Sequence, residues 1–134
     1  MFKYLAIAAN TLGKNERLKS RKLITELFKS GKAFNVFPFR VVYSMDEGTG
    51  VQAGFSVSTR NFKRAVDRNR IKRLMREGYR IQKSGLAEIL QKKGKTLVFF
   101  FIFTGKELPK HDFIENKISV IIEKLAKIVD ESAT

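Results

Sequence analysis

The sequence predicts an α+β domain, one sheet with helices packed on it, and three observations carry that prediction. Stretches of helical spacing and of strand alternation follow one another in the order α-β-β-α-β-α. One strand stretch, TLVFFFIFT at residues 96–104, is an uninterrupted apolar run, as expected of a strand covered on both faces. The 134 residues suit a single compact domain, with no internal repeat, low-complexity stretch or Pro/Gly/Ser linker to divide them.

The elements follow in order. Leu23, Ile24, Leu27 and Phe28 have helical spacing, with Ser20 suited to the N-cap and Gly31 to a C-terminal stop. In FNVFPFRVVYSM, alternation places Phe37, Phe39, Val41 and Tyr43 on one strand face, and Pro38, lacking an amide hydrogen, marks a strand start or an edge. DEGTG reads as a turn, and VQAGFSVST as a second strand in a hairpin with the first. The arginine-rich stretch RAVDRNRIKRLMREGYR, residues 64–80, reads as a long helix. SGLAEILQKKGK predicts a further short helix ending in a Gly-Lys turn, before the apolar strand. Asp112 and Glu115 resemble a capping box opening a last helix, with Ile114, Ile118, Ile121, Ile122, Leu125 and Ile128 along one side.

Composition narrows the partner. With 43% hydrophobic and 11% aromatic residues the chain can bury a real core, which argues against overall disorder. Lys and Arg outnumber Asp and Glu by 27 to 13, a net charge of +14, which favours a polyanion such as nucleic acid or an anionic membrane surface. The absence of cysteine excludes a disulfide partner, a thiolate metal site and a cysteine nucleophile, and suits the cytoplasm. The opening MFKYLAIAAN is too short and too weakly apolar for a membrane span, so residues 1–11 read as an N-terminal extension ahead of a domain over 12–134.

Turning each residue of the long helix by about 100° separates two faces. Ile71, Leu74, Met75 and Gly78 fall on one side with Tyr79 at its margin; Asn69, Lys72, Arg73, Arg76 and Arg80 fall opposite, and Arg68 and Arg70 flank the apolar stripe. A merely solvated face mixes signs so that carboxylates pair with cations. Between Arg60 and Lys83, ten basic residues stand against Asp67 and Glu77 alone. Repulsion of that size is offset by phosphate, and arginine over lysine suits bidentate contacts to it. No helix-turn-helix spacing or zinc-ligand pattern points to DNA. Phe37, Phe39 and Tyr43 could stack on unpaired bases; core is the better reading for the phenylalanines, and Tyr43, whose hydroxyl tolerates water, is the exception.

Residues 60–77, RNFKRAVDRNRIKRLMRE, strongly resemble the signature of the bacterial ribonuclease P protein component: Arg68, Asn69 and Arg70, then Lys72, Arg73, Leu74 and Arg76. The preceding GFSVSTRNFKRA resembles that family's strand and entry loop, ERLKSRKLITELFKSGK its first helix, and LVFFFIF its closing strand, so that the likeness covers about residues 12–129. The segment 82–95 is longer than in many members, and the first ten residues have no clear counterpart.

The resemblance implies an αβββαβα domain of the ribosomal protein S5 domain 2-like type with a left-handed βαβ crossover, and so a third, short strand before the long helix that pattern alone does not show. It implies the protein subunit of an RNA-based endoribonuclease that removes the 5′ leader of precursor tRNA, with the RNA subunit as catalyst and Mg2+ held mainly by that RNA. Arg64, Arg68, Asn69, Arg70, Lys72, Arg73 and Arg76 are then expected to contact the catalytic RNA. Ile24, Phe28, Phe39, Tyr43 and Ser56, with Arg60 beside them, are expected to line a cleft for the single-stranded leader. Ile24 departs from the pattern, since an aromatic is common there, and so loses a stacking surface.

A protein nuclease needs a general base, a nucleophile or a carboxylate cluster for metals. His111, the single histidine, reads as a cap or loop residue beside Pro109; Asp46 and Glu47 form a turn pair; Asp67 sits among arginines as an ion-pair partner; Ser56 and Ser58 have no triad partners. No catalytic residues and no protein ligands for a metal are therefore assigned. A structural RNA-binding protein would share the basic helix without needing a leader cleft. A peripheral membrane protein would need the apolar face that the core requires, so no membrane partner is expected. A stand-alone nuclease has no site residues to support it.

Overall fold

A computed structural model describes residues 18, 21–48 and 50–131; the N-terminal extension and Ser20 lie outside them. The chain runs α1 (Arg21–Ser30), β1 (Lys32–Val36), β2 (Phe39–Glu47), β3 (Gly50–Val57), α2 (Ala65–Arg80), α3 (Ser84–Lys93), β4 (Lys95–Phe103) and α4 (His111–Glu131). Together they form a single α+β domain. The third strand before the long helix is present as β1, and Pro38 closes the turn between β1 and β2 through a cis Phe37–Pro38 bond.

The strands lie in the order β1-β2-β4-β3, with β4 antiparallel to β2 and parallel to β3. This corrects the hairpin expected of β2 and β3, because β4 sits between them. An apolar run with no polar alternation loses least where both its edges are paired, which a central place provides, although the coverage expected on both faces is complete on only one of them. The link from β2 to β3 must therefore step over the start of β4. Gly48 and Gly50 make that step at φ of 138° and 128°, where a side chain would be strained. Gly48 N donates to Gly94 O at 3.0 Å, and Thr96 Oγ1 donates to Gly50 O at 3.1 Å.

Strand alternation gives the sheet two unlike faces. Phe39, Val41, Ala53, Val57, Leu97, Phe99, Phe101 and Phe103 point to the face covered by α2, α3 and α4 and are all buried. Burial of each such phenylalanine stabilises by roughly 1.5–3 kcal/mol, and this layer is the core. The helices meet it with Ile71, Met75, Tyr79, Leu86, Leu90, Ile114, Ile118, Ile121 and Leu125. The other face carries a smaller cluster, Leu18, Leu27 and Val42, against which Ile24, Val98, Phe100 and Ile102 are only partly buried. So β4 is dry on one face and half-open on the other.

The last helix begins at His111, one residue before the expected cap. Asp112 thus falls inside its first turn and Glu115 just beyond it, and their carboxylates approach His111 Nδ1 at 3.5 and 3.6 Å. Among the described residues, no helix is long and apolar enough to cross a membrane.

Candidate nucleic-acid interface

The helix α2 divides as its spacing predicts. Ile71, Met75, Gly78 and Tyr79 are buried, while Arg64, Asn69, Arg70, Arg73 and Arg76 are exposed and Lys72 is half-buried. Tyr79 is more than marginal: its ring lies 5.5 Å from that of Phe99 and 6.0 Å from those of Phe55 and Phe101, and it is fully buried. Among the described residues, no salt bridge takes up Arg64, Arg70, Lys72, Arg73 or Arg76. Arg80 differs, because it binds Glu77 one turn back through both Nε and Nη2. The hydrogen bond and the charge of Arg80 hold the Glu77 carboxyl below its ordinary range, and Glu77 in turn raises Arg80.

The start of α2 has no side-chain cap on its N-cap residue, Arg64. Arg68 ties down this end instead: its Nη1 donates to Phe62 O and Lys63 O, both at 2.8 Å. Arg68 is therefore a brace for the entry loop as well as part of the basic face.

On the half-open side of the sheet, α1 leaves Ile24, Val98, Phe100 and Ile102 only partly covered. Phe28 of α1, about half exposed, faces Phe100 of β4 with ring centroids 5.4 Å apart. The Phe100 ring lies flat over β3 because residue 54 is glycine: a Cβ there would meet its Cδ2 and Cε2 at 2.5 Å. Register places Arg40 and Ser56 beside Ile102, and Val42 and Gly54 beside Phe100, all on this face.

Of the six residues expected to line a leader cleft, the structure brings three together here: Ile24, Phe28 and Ser56. Phe39 and Tyr43 do not join them. Both occupy odd positions of β2, which point to the core face; Phe39 is 1% exposed and packs on Phe101 and Phe103, and Tyr43 packs on Phe34. Arg60 is exposed at the end of the sheet, sharing a cavity with Ser58, Asn61 and Lys106. The face under α1 carries instead their even-numbered neighbours, exposed Arg40 and buried Val42, beside half-buried Phe100 and Ile102. Alternation in β2 contains that answer once the face under α1 is known; β4, apolar throughout, carries no such signal.

One further group among the described residues brings potential ligand atoms within 4.8 Å of one another, His111, Asp112 and Glu115 at the start of α4. Magnesium favours an octahedron of oxygens and keeps much of its water. An imidazole with one exposed and one half-buried carboxylate is a poor match, so this cluster is not assigned to it.

Residues 12–125 match the family model described as Ribonuclease P. A Porphyromonas gingivalis protein named Ribonuclease P protein component is 39% identical over 127 residues, covering 91% of this chain and 91% of that protein. One of the same name from Chlorobium phaeobacteroides is 32% identical, covering 87% and 88%. Among solved structures, the RNase P protein of Staphylococcus aureus is similar at a TM-score of 0.64 and 24% identity, over 87% of this chain and 99% of that one. That of Thermotoga maritima is similar at 0.64 and 23%, over 81% and 96%. At these identities the solved structures speak to the fold alone.

Proposed function

Because the chain belongs to the ribonuclease P protein family, we propose that it is the subunit that binds the catalytic RNA and the single-stranded 5′ leader of precursor tRNA, and so promotes removal of the leader. The observation that carries this reading is the division of α2. Ile71, Met75 and Tyr79 anchor it in the core, while Arg64, Asn69, Arg70, Arg73 and Arg76 stand in water with no carboxylate on them among the described residues. A rigid row of arginines is suited to the phosphates of a folded RNA.

The leader is assigned to the groove between α1 and the sheet. Its floor of Phe100 and Ile102 beside the buried Val42 and its wall of Ile24 and Phe28 are apolar and, Val42 apart, half-open, and Arg40 and Ser56 supply polar groups at its margin. Unpaired bases can stack on Phe28 and Phe100, whereas a duplex, with its bases already stacked, cannot. Such a groove separates precursor from mature tRNA by the presence of a tail.

The cleavage itself is assigned to the RNA subunit and its magnesium. The protein's part is positioning and charge: a strongly positive subunit between two polyanions reduces their repulsion and lowers the magnesium needed, an effect that fades as salt rises. The test is cleavage of a precursor tRNA by bacterial ribonuclease P RNA at limiting magnesium, with this protein added and omitted. Correct 5′ cleavage restored by the protein, with no activity from the protein alone, is the expected result. RNA binding without any effect on the magnesium requirement would sink the reading in favour of a structural RNA-binding protein.

A further inference from the structure

A second groove lies at one end of the sheet, away from the one under α1. Since β4 runs antiparallel to β2 and parallel to β3, the Phe37–Pro38 turn, the loop 58–64 and the loop 104–110 all meet at this end. Hydrogen bonds stitch the three together. Thr104 N and Oγ1 donate to Pro38 O at 2.8 and 3.0 Å, and Asn61 Nδ2 donates to Thr104 O at 3.0 Å and Gly105 O at 3.3 Å. An end braced in this way holds its shape before any ligand arrives.

The groove measures about 580 Å³, and three large apolar side chains that a folded chain would ordinarily bury line it in the open. Phe37 is 76% exposed, Leu108 47% and Phe113 42%. Lys106 and Lys110 also line it, with Glu107 as the one acidic residue in its wall, and Lys117 Nζ stands 5.6 Å from the centre of the Phe113 ring. Phe103 at its floor belongs to the core face of the sheet, and Phe113 to α4. Lys106 continues into the adjoining cavity with Ser58, Arg60 and Asn61, just ahead of Arg64 and α2.

We propose that this groove holds an unpaired base of the catalytic RNA, stacked on Phe37 and Phe113 with its phosphates on Lys106 and Lys110. The assignment rests on the reading of α2 as the catalytic-RNA face. Exposed rings ringed by lysines are a stacking platform inside a positive funnel. Continuity through Lys106 and Arg60 with the arginines of α2 selects a polyanion, and flat rings select a polyanion that carries free bases. The leader, held under α1 on the opposite face, is the less direct occupant.

The chain has no tryptophan, so Phe37→Trp installs a unique fluorescent reporter at a site exposed enough to accept it. Titration with bacterial ribonuclease P RNA, without substrate, is expected to quench it. Phe37→Ala with Phe113→Ala is expected to weaken that RNA's binding roughly tenfold or more, while the melting curve stays close to wild type and Phe37→Trp retains affinity. Normal RNA affinity with unquenched fluorescence overturns the proposal and leaves the functional reading standing. Quenching only when precursor tRNA with a long leader is added also overturns it, by making the leader the occupant. Failure of the wild-type chain to bind the RNA at all defeats the functional reading itself, and this groove with it.

Discussion

Phe28 and Phe100 meet across the gap between α1 and the sheet with their rings 5.4 Å apart and tilted by 60°. They are the only aromatic pair joining α1 to β4 among the described residues, and the ring of Phe100 is kept flat by Gly54 beneath it. Loss of one stacked base costs about 1–3 kcal/mol. Phe28→Ala should therefore weaken precursor tRNA binding by the holoenzyme roughly tenfold or more, with little effect on mature tRNA. The comparison of the two affinities checks it; an equal loss for both substrates would place the ring's role elsewhere. Because Phe28 is about half exposed, its removal should move the melting temperature little.

Phe39 is expected to behave in the opposite way. It is 1% exposed among Phe101 and Phe103 on the core face, and truncation of such a residue costs about 3–5 kcal/mol. Phe39→Ala should lower the urea midpoint sharply, yet leave the ratio of precursor to mature tRNA affinity unchanged for the protein that remains folded.

Arg68 and Arg70 look equivalent in sequence but are not equivalent in place. Arg68→Ala removes the donor to Phe62 O and Lys63 O, one of them partly buried, and an unmet buried acceptor costs about 1–3 kcal/mol. It should therefore lower both thermal stability and RNA affinity. Arg70→Ala, on the exposed face, should spare the melting curve and reduce the salt dependence of RNA binding by about one phosphate contact. A melting curve untouched by Arg68→Ala would remove its role as a brace.

Glu77 restrains the basic face by holding Arg80. Glu77→Gln should remove the carboxylate charge from beside that guanidinium, tighten RNA binding and steepen its salt dependence. The bond from Arg80 lowers the Glu77 pKa, so the carboxylate stays charged throughout the neutral range. The pair's contribution to stability is complete above the ordinary value of 4.5 and is lost as pH falls through the lowered one. RNA affinity between pH 6 and 8 should accordingly show no step that Glu77→Gln abolishes.

How far the molecule can be read from its residues differs by element. The two faces of α2 follow from the spacing of Ile71, Met75 and Gly78 against Arg70, Arg73 and Arg76, because a helix fixes direction from local geometry alone. In β2, alternation correctly groups Phe39, Val41 and Tyr43 on one face, but Phe37, grouped with them, lies exposed in the turn before the strand. Which face α1 covers depends on Leu27 reaching Val42, a tertiary contact that period two cannot report. The misplaced hairpin has the same origin. Turn chemistry at Gly48 and Gly50 is real, but whether a turn joins neighbours or strides over a third strand is decided by residues 95–103, far along the chain.

That stride has a consequence for how the protein is made. Val57 pairs with Phe103, and Phe39 with the same residue, so the partners that complete the sheet leave the ribosome long after β1, β2, β3 and α2 have emerged. Until β4 arrives, the strands on either side of it have nothing between them, and Ile71 and Met75 have no layer of phenylalanines to rest on. Pairings across such sequence distances form late and slowly. A nascent chain that has already exposed its arginines therefore cannot yet present them as a rigid row. Nor can it offer the groove floored by Phe100 and Ile102. On the proposed reading, the capacity to recognise RNA waits for β4, the most apolar segment of a highly charged chain.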